Sequence, residues 1–120
     1  MKDSVLRTKS LKFAVRIVNL YKHLCNENKE FVLSKQILRS GTSPGAMIRE
    51  AEHSESKADF IHKLAIAQKE INETIYWLEL LHATGYISDK EFESINNDAV
   101  EIIKMITASI KTAKKTITNG

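Results

Sequence analysis

The sequence predicts an all-α fold, an antiparallel up-and-down four-helix bundle, on three observations. Apolar residues recur at spacings of three and four over long stretches, the period of a helix. Four glycines and one proline leave little material for the turns of a many-stranded sheet. The connections are short, which makes consecutive helices antiparallel neighbours. At 120 residues, 42% hydrophobic and 28% charged, the chain has the size and composition of one compact domain, and residues 1–120 read as a single unit without internal repeats.

Helix 1 is expected over about residues 9–26. Leu11, Phe13, Ala14, Ile17, Val18, Leu20, Tyr21 and Leu24 follow the helical period. With Val15 they span an arc of about 200°, twice what an ordinary surface helix buries, so a second burial partner is implied. Asn26 to Phe31 is the first connection.

Helix 2 is expected over residues 34–54, with Ser34 as its N-cap and Ile37, Leu38, Gly41, Gly45, Ile48 and Ala51 on one side. Gly41 followed by Ser43 and Pro44 also fits a stop and a restart, with Ser43 as a second cap. The alternative is one helix kinked at Pro44, whose glycines admit a neighbouring backbone.

Helix 3, residues 58–83, repeats Phe60, Leu64, Ala67, Ile71, Ile75 and Leu78, and Gly85 stops it. On its far side Ile66, Trp77 and Leu80 lie close together, a candidate subunit interface, although Trp77 folding over the edge of the core is the competing reading. Helix 4, residues 89–117, opens with a Ser88–Glu91 capping box. Phe92, Ile95, Ala99, Ile102, Ile103, Ile106, Ile110, Ala113 and Ile117 then form one stripe, and Thr118 to Gly120 is expected to fray.

The net charge is only +3, but it is unevenly placed. Residues 1–49 hold ten basic and three acidic side chains, residues 50–101 four and twelve, and residues 102–120 four and none. Such blocks pair within a fold, or they form a surface that neutralises phosphates without reading sequence. In an up-and-down bundle the start of helix 1 and the end of helix 4 share one end. Arg7, Lys9, Lys12 and Arg16 are therefore expected near Lys104, Lys111 and Lys115, as candidate nucleic-acid contacts. Stacking on bases is not expected from eight aromatics placed mostly at core positions.

Catalysis has no residues to carry it. Glu50 with His53 and Glu79 with His82 have the spacing of di-metal bundle proteins, but antiparallel packing sets them on the order of 35 Å apart. No metal, cofactor or catalytic site is expected. His82 reads as a packing or capping residue and Cys25 as a small buried hydrophobe. One cysteine rules out an internal disulfide, and no apolar run reaches the length of a membrane span or a secretory leader, so a reducing cytoplasm is the expected setting.

From Ser34 to Ser88 the chain resembles the bacterial four-helix-bundle family of 23S rRNA intervening-sequence proteins. The resemblance is carried by Gln36-Ile37-x-Arg39-Ser40, Thr42-Ser43, Glu50-Ala51, Lys57-x-x-Phe60-Ile61 and Glu73-Thr74-x-Tyr76-Trp77-Leu78. Met47 stands where the family usually has Asn, and Pro44 where a branched apolar residue is common. The resemblance implies a single kinked helix 2 and a homopentamer. It also implies a gene often found inside an extra segment of large-subunit rRNA, a ribosomal-protein-like cataloguing, and kinship with the accessory proteins of diversity-generating retroelements. The expectation is a non-enzymatic oligomer that binds RNA or other nucleic acid through Arg7, Lys9, Lys12, Arg16, Lys104, Lys111 and Lys115. The alternative is a scaffold or accessory subunit for a protein partner such as a reverse transcriptase.

Overall fold

The computed structural model describes the backbone of residues 3–119 and the side chains of residues 5–116. Four helices follow one another: α1 (Asp3–Asn26), α2 (Leu33–Glu52), α3 (Lys57–Ala83) and α4 (Asp89–Asn119). Each packs on its neighbours in sequence and α4 returns to α1, while the diagonal pairs do not approach; this is a four-helix bundle about 52 Å long and 22 Å across. The α1–α4 seam is the least extensive.

The core follows the apolar period. Phe13, Ile17 and Leu24 of α1, Ile37 and Ile48 of α2, Leu64, Ile71, Leu78 and Leu81 of α3, and Ile102 and Ile106 of α4 are almost wholly buried. Buried Ser10, Ser34, Ser40 and Thr74 are additions that an apolar pattern cannot show. The Thr74 hydroxyl donates to the carbonyl of Glu70 at 2.8 Å and shares a 2.9 Å hydrogen bond with Ser40 Oγ across the α2–α3 contact, so both of these buried hydroxyls are partnered. Small side chains here let the two helices come close.

Helix ends differ from the sequence reading in three places. α1 begins at Asp3, six residues before Lys9. Ser34 is not the cap of α2; it is the second residue of the helix and is fully buried. The capping group is the carboxylate of Glu30, which accepts from the backbone N–H groups of Val32, Leu33 and Ser34 at 3.2, 3.1 and 2.7 Å. Lys29, with φ of 54°, turns the chain so that Glu30 can reach back over the helix end. α4 continues to Asn119, into the stretch expected to fray; the side chain of Ile117 and residue Gly120 lie outside the described residues.

α2 is one helix through Pro44, with no second cap at Ser43. Its glycines differ in purpose. A Cβ on Gly41 would stand 2.7 Å from Cγ1 of buried Ile17, whereas one on Gly45 would meet the Ser10 carbonyl oxygen at an ordinary 3.6 Å. Gly41 is where α1 and α2 need a missing side chain. Ser56 caps α3 by accepting from Asp59 N–H at 3.0 Å. At the other end Gly85 N–H donates to His82 C=O and Tyr86 N–H to Leu81 C=O, the paired bonds of a Schellman stop. Gly85 takes φ of 84° there. The capping box forms as expected: Ser88 N–H donates to Glu91 at 2.9 Å, and Glu91 N–H to Ser88 Oγ at 3.1 Å.

Candidate nucleic-acid interface

The basic residues of α1 and α4 have different surroundings. On α1, Arg7 lies 3.7 Å from Glu52 at the end of α2, and Lys9 lies 3.0 Å from Glu101 of α4. Arg16 lies 2.7 Å from Asp98 and donates also to Ser94 Oγ at 3.0 Å. Lys12 borders the same seam, beside Asp98 and Glu101. The α1 cations thus line a seam already supplied with carboxylates. A phosphate brought there meets repulsion as well as attraction.

On α4, Lys104, Lys111 and Lys115 are exposed and, among the described residues, have no ion pair. They lie opposite the buried stripe of Ile102, Ile106 and Ile110, while Ser94, Asp98 and Glu101 occupy the side turned to α1. The seven expected contacts therefore form two groups with an acidic strip between them.

Ile66, Trp77 and Leu80 are half-buried within the bundle. Trp77 packs against the core, donates its indole N–H to Glu73 at 2.9 Å, and meets the edge of Tyr76 with ring centroids 5.1 Å apart. The most exposed large apolar groups lie elsewhere. Leu11 and Val15 on α1 are about half exposed, at 52% and 51%, and Leu11 lines a shallow groove with Thr42, Gly45 and Ala46 of α2. The over-wide apolar arc of α1 is the sequence signal that pointed to them. Tyr76 at 54%, and Phe31 and Val32 at the α1–α2 connection, had no such signal.

His53 follows the end of α2, and His82 stacks on Phe92 at 4.6 Å, with its Nε2 2.5 Å from Asp89. Among the described residues no three His, Cys, Asp or Glu side chains gather to hold a metal ion. Cys25 is half-buried, with its sulfur 3.7 Å from Ser34 Oγ. The hydrogen bond between Cys25 and Tyr21 raises the phenol of Tyr21 above its ordinary pKa. A cleft of about 630 Å3 at the α4 end is lined chiefly by apolar groups such as Leu6, Ile48, Phe60 and Met105, with Glu52, Lys57 and Ser109 among its polar residues.

Both shifted carboxyl groups do structural work. Some desolvation opposes ionisation of Glu30, but the N–H groups of Ser34, Leu33 and Val32 prevail and hold its pKa below the ordinary value. Glu91 is lowered by the backbone N–H and the hydroxyl of Ser88. No described helix is long and apolar enough to cross a membrane.

Residues 2–108 match the family model described as 23S rRNA-intervening sequence protein. No curated protein matches the chain. A crystal structure of a protein with unknown function, from the S23 ribosomal protein family of Bacteroides thetaiotaomicron VPI-5482, is similar to it. The two are 68% identical, the match covers 92% of this chain and 99% of that one, and the TM-score is 0.91.

Proposed function

This chain belongs to the family of 23S rRNA-intervening sequence proteins, and from that premise we propose that it is a non-enzymatic, self-associating protein that binds RNA or other nucleic acid through its basic surfaces. The observation that carries the reading is the row of Lys104, Lys111 and Lys115, exposed on α4 with, among the described residues, no carboxylate paired to any of them. Lys12 adds to it, and Arg7, Lys9 and Arg16 contribute where phosphate displaces Glu52, Glu101 or Asp98. Such binding follows the phosphate backbone, carries little sequence preference and weakens steeply with salt.

Self-association, as a homopentamer in the reading the family suggests, is supported by Leu11 and Val15. Their apolar area is left exposed, that of Leu11 within the α1–α2 groove. Ile66, Trp77 and Leu80 are assigned to the same role from α3. Those open faces also favour a second reading, a scaffold or accessory subunit for a protein partner such as a polymerase, without a direct nucleic-acid role.

Titration of a structured RNA at low and moderate salt tests the first reading, and no measurable affinity at either salt rejects it. Lys111→Glu with Lys115→Glu separates the two. Lost RNA binding with an unchanged oligomer mass supports the first, and disassembly supports the second. Trp77→Ala is expected to lower the oligomer mass in light scattering; an unchanged mass counts against its interface role.

A further inference from the structure

Around the level where α3 meets the second half of α4, nearly every carboxylate is turned to another flank and occupied there. Glu70 and Glu73 of α3 hold Arg39 of α2, the first at 3.1 Å. Asp59 accepts from Glu55 N–H within the capped start of α3. Glu101 and Asp98 of α4 hold Lys9 and Arg16 of α1. At that level these pairs leave the outer α3–α4 face to its lysines, while the exposed Glu79 and Glu93 lie further along the face, toward the α3–α4 connection.

Lys69 is one of those lysines. Its neighbour Gln68 donates to Thr107 Oγ1 at 2.8 Å, which pins α3 to α4 at that level. With 3.6 residues per turn, Lys69 then points outward. Lys104 and Lys111 sit one turn to either side of Thr107 and lean toward α3, and Lys115 follows one turn on. All four are exposed, with no ion pair among the described residues. Packed helix axes lie about 8–10 Å apart, so Lys69 shares one face with a row that runs roughly 16 Å along α4.

We infer that this outer α3–α4 face, with Lys69, Lys104, Lys111 and Lys115 as its contacts, is the surface that holds the phosphodiester chain of RNA. The α1 flank is at most a secondary contact. This inference rests on the reading of the protein as a nucleic-acid binder and assigns that binding to one face. The chemistry recognised is a run of phosphates, which both a duplex and a single strand supply.

The test is fluorescence anisotropy across a salt series, with an RNA hairpin and an unstructured single strand as the two probes. It compares the full chain with Lys69→Ala/Lys111→Ala and Lys9→Ala/Lys12→Ala. Loss of two contacts lowers the log–log salt slope by about 1.8 for the hairpin and about 1.4 for the single strand, and weakens hairpin binding roughly 50-fold at 0.1 M salt for each subunit engaged. Those changes are expected for Lys69→Ala/Lys111→Ala. Neutralising the carboxylates with Asp98→Asn/Glu101→Gln is expected to tighten binding by opening the α1 flank. If Lys69→Ala/Lys111→Ala binds like the unmodified chain while Lys9→Ala/Lys12→Ala loses affinity, the assignment of the face is overturned and nucleic-acid binding stands. If the unmodified chain binds neither probe at low salt, both are overturned.

Discussion

Along α1, the flank that meets α2 is built from Ser10, Ile17 and the bare backbone of Gly41, whereas the flank that meets α4 is built from Lys9 and Arg16 against Glu101 and Asp98. The first contact is close and, at Gly41, intolerant of added volume. The second is partly open to water, with a cleft of about 360 Å3 between Leu20, His23 and Ile95. Close packing draws its strength from many short-range contacts that salt does not screen. Exposed ion pairs contribute little each and weaken as salt rises. The bundle is therefore firmest where α2 joins α1 and α3, and α4 is tied to it mainly through α3.

Substitution at the two glycines of α2 sharpens this contrast most. Gly41→Val drives a branched side chain into Ile17 and is expected to cost about 1–3 kcal/mol, read as a lower midpoint in thermal unfolding. Gly45→Ala, one turn along the same helix, meets only ordinary contacts and replaces a helical glycine, so a gain of about 0.5–1 kcal/mol is expected. Equal losses at both positions would break the claim that only Gly41 marks the close approach.

The α1–α2 connection comes next. Glu30→Ala removes the acceptor for three amides and is expected to cost about 1 kcal/mol. The effect depends on pH with a definite sign. Because folding lowers the Glu30 pKa, its contribution is complete above the ordinary carboxyl value of about 4.3 and is lost as pH falls through the lower folded-state value. The difference between Glu30→Ala and the unmodified chain in urea unfolding should thus be present at neutral pH and shrink in acid.

On the other flank the effect is smallest. Arg16→Ala is expected to cost about 0–1 kcal/mol in low salt and less in high salt. A loss comparable to that of Gly41→Val, unchanged by salt, would mean that the two flanks are held in the same way.

The architecture was legible because each helix advertises itself locally. The stripe from Phe92 to Ala113 and the Ser88–Glu91 box define α4, and the period from Phe60 to Leu78 defines α3. Ser34 was misread because a serine ahead of an apolar run looks like a cap; the true cap depends on Lys29 taking a left-handed turn, which side-chain pattern does not encode. Ser40 and Thr74 were missed as core because hydropathy treats them as surface.

The candidate site was only half legible. The sequence proposed the lysines of α4 as contacts and grouped them with α1 by helix order, whereas which flank each residue occupies is settled by packing. Lys69, which the proposed face adds, stood out in no sequence pattern because it lies in a block where acids outnumber bases three to one, and a block average hides that Glu70 and Glu73 turn away toward Arg39.

Lysine footprinting by amine modification and mass spectrometry, with and without an RNA hairpin, tests the division of the cations most directly. RNA is expected to protect Lys69, Lys104, Lys111 and Lys115 and to leave Lys9 and Lys12 as reactive as in the free protein. Protection of Lys9 and Lys12 with the α3–α4 face still reactive would contradict that division.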